Sequence, residues 1–483
     1  MRLLVLYRTG LTGIYDNEGK NRMMDKKKKF DVPHSLAIIF FVMLIAAALT
    51  YLIPAGSFDR VKNEAGKTMV VAGSFHYMER SPVNPVRILN YVYAGLDSAR
   101  SIIFALLCAG GGLGIVLESG MFQGAAGTLS RKAKGKEWFV IAFLMTVFAL
   151  LCIPINLNYF IPFAPLGIVI ATAMGYDAIV GISIIMLGGA VGFSCGAMNL
   201  PNTGTAQSIA ELATFSGMGY RLICMVPFLV TSIVFVVKYA EKVRRNPEKS
   251  LVYGIDLGTD AFKTDAVPDF EKQHIPVAVV VGACIGYMIY VAIFRELSFE
   301  SSAAIFLYMG LLSGIVMRMP VNKMCSCFMN GVKGMATTGV LIGFAYAISG
   351  ILTAGNVMDT VVNGLAGLLG IFPRILQAPA MLVMHVIINF FVTSGSGQAA
   401  ITMPIFIPVA DLVGMTRQTA VLAFNFGDGF CNFILPHAAA TMGFVGFANI
   451  PFTKWFKYAV KLFAIWMVVA AVLLMIATAI HYS

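Results

Sequence analysis

The segment NFFVTSGSGQAAITMP, Asn389 to Pro404, sets Ser394-Gly395-Ser396-Gly397-Gln398 in the middle of an otherwise apolar stretch. Between Arg374 and Asp411 the only ionisable side chain is His385. A plain membrane-spanning helix has no use for two serines and two flexible glycines at its centre. A chain that turns round inside the bilayer does, because glycine lets the backbone turn and come close to a ligand. Non-helical backbone at that depth is tolerated where it lines a watery cavity or is buried in protein. Ser394 and Ser396 add hydroxyls, and Gln398 lies near the start of the following limb, where the helix dipole favours an anion.

The rest of the chain fits such a setting. Of 483 residues 58% are hydrophobic and 12% charged, whereas soluble domains carry about a quarter charged residues. The sequence therefore reads as an all-α polytopic membrane protein. Its net charge of +11 does not imply a nucleic-acid partner, because the basic residues fall in short segments between apolar runs, the positive-inside pattern. Eight cysteines with no paired spacing except Cys325-x-Cys327 argue for neither a disulfide framework nor a zinc site. Residues 1–23 lack the long apolar core and small-residue cleavage site of a signal peptide. Met24, followed by Lys26–Lys29, reads as a more natural start, with 1–23 an upstream mis-start or a disordered tail.

Apolar runs near 36–53, 98–117, 178–198, 222–237, 275–294, 303–317, 335–353, 416–434 and 462–480 are each about long enough to cross ~30 Å of hydrocarbon. Two further stretches, 138–175 and 376–413, each hold two limbs of about 15–18 residues, roughly 22–27 Å as helix. A polar break separates the limbs: Ile155-Asn156-Leu157-Asn158-Tyr159 in the first, the serine-glycine stretch in the second. Both read as re-entrant hairpins with non-helical tips at 155–159 and 394–398. Lys26–Lys29 then put the N-terminus in the cytoplasm, and the remaining cytoplasmic loops fall at 130–137, 238–273, 318–333 and 450–461. Each is rich in Lys and Arg, while the outer loop 57–97 mixes both signs.

An internal repeat supports the hairpins. Pro165 to Gly175 and Pro404 to Gly414 share a spacing of ten; GFSCGAMNLPN (192–202) matches GDGFCNFILPH (427–437); VLESGM and ILTAGN share Leu117/Leu352 and Gly120/Gly355. The first copy begins outside and the second inside, so the two are inverted, a recurring plan of secondary transporters with broken helices at the midplane. The expected organisation is a 1–34 tail, a first repeat over 35–241 with a broken helix at 178–213, and a linker over 242–273. A linking span at 274–301 and a second repeat over 302–483, broken at 416–449, complete it.

Candidate solute-binding residues follow from the tips and breaks: Asn156, Asn158 and Tyr159; Ser394, Gly395, Ser396, Gly397 and Gln398; and Asn199, Asn202 and Thr203. Pro201 and Pro436 each remove a backbone donor within a helix and free carbonyls upstream, able to hold a cation or solute. Asp428 is the sharpest signal, since a carboxylate inside a membrane costs about 2.5–3.5 kcal/mol even on lenient scales. It could carry a proton, ligate Na⁺ or face a cationic solute group, with Asn425, Asn432 and Thr205 beside it as candidate ion-coupling residues. His437 could pair with Asp428, bind a solute carboxylate, or be a satisfied core histidine. Glu118 and Glu211 read as interfacial and His385 as structural. No resident cofactor is expected, only Na⁺ or a proton as coupling ion, with Na⁺ sites at the tips and breaks.

Enzyme readings fail at defining residues. The Gly-x-Gly-Asp motif of intramembrane aspartyl proteases needs Gly at 425, which is Asn, and the Gly-x-Ser-Gly of rhomboid proteases needs Gly at 394, which is Ser. A channel could also use re-entrant loops, but the two loops differ in character and the polar breaks cluster as binding sites do.

The motifs SGSGQAAITMPI, RQTAVLAFNFGDGF, GYDAIVG and RRNPEKSLVYG resemble those of the YfcC-like transporters. That family is grouped with the four-carbon-dicarboxylate carrier DcuC and the arginine/ornithine antiporter ArcD in the wider ion-transporter superfamily. The resemblance covers roughly 33–460. It implies a homodimeric elevator carrier among the lipids of a bacterial-type inner membrane, holding a small-molecule substrate between two hairpin tips. By the family pattern, Ser394–Gln398 and Asn199–Thr205 map onto the substrate and ion site. Where relatives often carry a Glu-Glu pair at the first tip, this chain has Asn158-Tyr159, which favours a carboxylate or neutral amino acid over a basic one. The expected activity is ion-coupled symport or exchange of such a solute, with arginine/ornithine-type antiport as the alternative.

Overall fold

The computed structural model describes residues 34–62, 68–257, 269–295 and 297–483. The expectations for the N-terminal tail, with Lys26–Lys29 and the start at Met24, lie outside the described residues, as does the middle of the 242–273 linker. The fold is mostly helical. After α1 (Ser35–Leu52) come short strands β1 (Gly56–Ser57), β2 (Arg60–Lys62), β3 (Thr68–Val70) and β4 (His76–Tyr77), paired antiparallel as β1–β4 and β2–β3. Helices α2 (Asn90–Ser98), α3 (Arg100–Glu118), α4 (Met121–Lys132) and α5 (Glu137–Leu151) follow. A 3₁₀ segment, Leu157–Phe163, leads into α6 (Ala164–Ala173) and α7 (Ala178–Cys195); a π-turn, Leu200–Gly204, leads into α8 (Thr205–Ile209) and α9 (Met218–Arg245). The remainder is α10 (Ile275–Phe294), α11 (Phe299–Val316), α12 (Val321–Ala354), α13 (Met358–Leu368), α14 (Arg374–Phe391), α15 (Gly395–Leu412), α16 (Arg417–Cys431), α17 (Ala439–Phe447) and α18 (Phe452–Ala479).

Two helices form the centre. Every residue of α7 is buried, as is every residue of α16 from Gln418 to Cys431. A helix that is apolar or small on all sides has no solvent face and is enclosed by its neighbours. Helix α7 packs on α5, α6 and α16, and α16 packs on α14, α15 and α7. Glycine makes the approach close: a Cβ on Gly181 would lie 2.7 Å from Ile168 Cα and 2.9 Å from Gly167 O, both backbone atoms of α6. The halves also exchange contacts, for α8 packs against α15 while α17 packs against the Leu157–Phe163 segment.

The sequence repeat reappears as repeated backbone geometry. Gly175 and Gly414 take φ of +78° and +74°, the left-handed conformation that closes a helix. Tyr176 N–H then donates to Ala171 O and Met415 N–H to Ala410 O, each at 2.9 Å. Asp177 and Thr416 next cap α7 and α16 by accepting from Val180 N–H and Thr419 N–H.

Several expectations change. Among the described residues nine helices are long and apolar enough to cross a membrane, but they include Arg374–Phe391, expected as a hairpin limb, and omit the expected span at 416–434. There the chain gives only the 15-residue α16 before it breaks. The basic segments expected as loops are partly helical: α12 begins at Val321 and α18 at Phe452, while α9 runs on to Arg245. Lys and Arg are good helix formers, so the helices continue past their apolar parts.

Adding a methyl at Gly181 has to push backbone against backbone, so Gly181→Ala is expected to lower stability by about 1–3 kcal/mol, the usual range for overpacking. Gly286 on α10 has nothing within 4 Å of its Cβ position, and Gly286→Ala should be neutral or slightly stabilising. Thermal melting of the two purified variants in detergent checks the contrast.

Candidate functional site

Four interruptions of helix build the site. The first follows α5: Pro154 precedes Asn156, whose side chain accepts from Asn158 N–H at 2.9 Å and starts the 3₁₀ segment. The second is Val392-Thr393-Ser394, after which Ser394 caps α15 by accepting from Gly397 N–H at 3.3 Å. Residues 395–398, expected as a non-helical tip, are instead the first turn of α15, because a serine N-cap restarts the helix at once. Residues 157–159 are likewise helical, in the 3₁₀ segment. The third follows α7, which ends at Gly196 with φ +62°; Asn199 then caps the π-turn by accepting from Asn202 N–H at 3.1 Å. The fourth follows α16 and runs through Asn432 and Pro436 to α17.

All four meet at one cavity of about 240 Å³. Asn156, Asn158 and Tyr159 line it from the first interruption, Thr393 to Ser396 from the second, Pro201 and Asn202 from the third, and Asn432 and Phe433 from the fourth. The α10–α11 connection closes one side with Arg295 and Leu297. Tyr159 donates its hydroxyl to Leu297 O at 2.7 Å. The sequence-predicted Asn156, Asn158, Tyr159, Ser394, Gly395, Ser396, Asn202 and Asn432 are thus brought together. Among the charged residues described, Arg295 is the only one on the lining.

Asp428 lies behind the cavity wall and is fully buried. Its Oδ2 accepts from Asn202 Nδ2 at 2.8 Å, and its Oδ1 has no hydrogen-bond partner among the described residues. Its backbone carbonyl accepts from Asn389 Nδ2 at 3.0 Å and Asn432 Nδ2 at 2.8 Å, which satisfies a group freed by the end of α16. Among the described residues Asn202 Oδ1 and Asn389 Oδ1 likewise have no hydrogen-bond partner. A Cβ on Gly395 would fall 2.8 Å from Asp428 Oδ2 and 2.9 Å from Asn202 Oδ1, so only glycine lets the start of α15 reach these oxygens.

Other expected residues do something else. Gln398 is buried and donates to His385 O at 3.1 Å, with His385 Nδ1 at 3.2 Å; it turns away from the cavity because its amide satisfies the carbonyl and ring of the neighbouring limb. His437 Nε2 lies 2.9 Å from Phe390 O, so it pairs with backbone and not with Asp428. Thr203 Oγ1 accepts from Asn425 Nδ2 at 3.0 Å. Thr205 begins α8 and is buried, and Gly397 supplies the N–H that Ser394 caps. Glu118 and Glu211 form exposed ion pairs with Lys323 and Arg417.

Asn389 and Arg221 were missed. Asn389 stands in the opening segment itself, but nothing local marks which way its amide points. Arg221 is fully buried in α9 and hydrogen-bonds Asn425, Gln418, Tyr482 and Gly196, which come from distant parts of the chain. From sequence it looks like an interfacial arginine at a span end.

Comparison with known proteins finds relatives along nearly the whole chain. Over 94% of this chain and 98% of its own length, the "Putative basic amino acid antiporter YfcC" of Escherichia coli (strain K12) is 29% identical. An uncharacterised protein of Haemophilus influenzae is 22% identical over 94% of this chain and 99% of its own. Two solved transporters superpose with 16% identity: Alcanivorax borkumensis YdaH (TM-score 0.42; 93% of this chain, 99% of that one) and Neisseria gonorrhoeae MtrF, from a class of antimetabolite efflux pumps (TM-score 0.43; 92% and 95%). The model of the DcuC family, C4-dicarboxylate anaerobic carriers, matches residues 32–479, and the chain is a multi-pass membrane transporter of that family and not an enzyme.

Proposed function

We propose that the chain is a secondary active transporter that moves a small carboxylate or amino acid across the cytoplasmic membrane by ion-coupled symport or by exchange. The observation that carries this reading is the shared cavity, which four helix interruptions line with amides and hydroxyls while Asp428 lies one hydrogen bond behind it. In this proposal the 138–175 and 376–413 segments are re-entrant hairpins of an inverted repeat with the domain boundaries given above. The protein works as a homodimeric elevator in the inner membrane with its N-terminus in the cytoplasm. Asn156, Asn158, Tyr159, Asn202, Ser394 and Ser396 hold the solute. Na⁺ or a proton binds at Asp428 Oδ1 with help from Asn202 and Asn389.

Basic amino acid antiport is the second reading, favoured by what the Escherichia coli relative is named for. Against it, Arg295 lines the cavity, and like charges in such a site repel.

Orientation and coupling each have a direct test. Topology reporters fused at Lys249 and Ser483 should give opposite signals, cytoplasmic and outside; matching signals would overturn the arrangement of spans. Uptake into proteoliposomes should be measured for succinate, aspartate, serine and arginine under imposed pH and Na⁺ gradients. Asp428→Asn keeps the size and removes the charge, so gradient-driven accumulation should fall about tenfold or more, the factor that ~1.4 kcal/mol of lost coupling represents. Protein yield should stay near that of the parent chain. Unchanged accumulation under both gradients removes Asp428 from the mechanism.

A further inference from the structure

Arg221 is fully buried, yet its described partners are all neutral: Tyr482 Oη at 3.2 Å from Nε, Asn425 Oδ1 at 2.6 Å and Gly196 O at 3.4 Å from Nη1, and Gln418 Oε1 at 3.2 Å from Nη2. A buried guanidinium with no carboxylate is costly. The only other fully buried member of the Asp, Glu, Lys and Arg set among the described residues is Asp428.

The two are linked through side chains of α16 and of the break between α7 and α8. Asn425 stands three residues before Asp428 on α16, so the pair shares one face of that helix. Asn425 turns its oxygen to Arg221 and its amide to Thr203 Oγ1 at 3.0 Å. The adjoining Asn202 donates its own amide to Asp428 Oδ2 at 2.8 Å. Both amides are therefore oriented as a cation on one side and an anion on the other would set them. The break between α7 and α8 is the material of the link, held at Gly196 by the arginine and at Asn202 by the aspartate.

We propose that Arg221 is the internal counter-charge of Asp428, a positioning residue that acts through Asn425, Thr203 and Asn202. With Asp428 ionised and empty, the two buried charges, Arg221 and Asp428, sum to zero. Loading one proton or one Na⁺ leaves the pair at a single positive charge, which an anionic solute cancels. The buried pair then adds no net charge to an empty site, and this consequence, unlike the pairing itself, rests on the coupling role proposed for Asp428.

A double-mutant cycle tests the pairing without any substrate. Melting temperatures of the purified full chain are compared for Arg221→Gln and Arg221→Lys, each in the parent and in the Asp428→Asn background. If the charges are partnered, Arg221→Gln costs several degrees more than Arg221→Lys in the parent, and that gap shrinks to about half or less once Asp428 is neutral. Recovery of folded Arg221→Gln only in the Asp428→Asn background supports the pairing equally. Equal gaps in both backgrounds, or failure of Arg221→Gln to fold in either, would make Arg221 a structural tie for Gly196 and Tyr482 and overturn the proposal. The cycle reads folding, so a coupling role that fails in the uptake assay leaves its outcome independent.

Discussion

A helix that stops inside apolar surroundings leaves backbone donors and acceptors with no water to satisfy them. This constraint organises the centre of the molecule. Asn156, Asn199 and Ser394 cap the restarting segments, and Asn389 and Asn432 both donate to the carbonyl of Asp428 at the end of α16. Each polar side chain that satisfies an interruption also lies at or beside the cavity, so the structural requirement and the binding surface are met by the same residues.

The Asn202–Asp428 hydrogen bond joins the two halves at this point. Hydrogen bonds to charged groups contribute about 1.5–3 kcal/mol, and this one links the break after α7 to the helix α16 that supports the other half. Gly395 brings the start of α15 against the same two side chains. In the proposed mechanism a solute held by Asn202 touches a group in direct contact with the ionisable residue, a geometry through which solute and ion can influence each other's binding.

Much of this was legible in the sequence, because interruptions inside apolar runs announce themselves through Gly, Pro, Asn and Ser. The positions of all four interruptions, the paired glycines 175 and 414, and the presence of a carboxylate at Asp428 inside the apolar interior follow from local chemistry alone. Errors came where local signals end. Ser394 restarts a helix that the glycines after it suggested was absent, and Lys- and Arg-bearing segments continue helices that hydropathy alone cuts short. Gln398 and His437 face partners from neighbouring limbs, and Arg221 meets Asn425 and Gln418 about two hundred residues away. No periodicity encodes such meetings.

In the proposed mechanism the transported solute sits in the cavity lined by the four interruptions. Ser396 lines it and is exposed enough to be reached. The rate at which a membrane-impermeant sulfonate reagent alkylates Ser396→Cys, followed on its own peptide by mass spectrometry, measures occupancy of that space directly. A solute that the reconstituted protein accumulates should slow alkylation in proportion to its occupancy, while solutes it does not carry leave the rate unchanged. An alkylation rate at Ser396→Cys indifferent to a saturating transported solute would contradict the account.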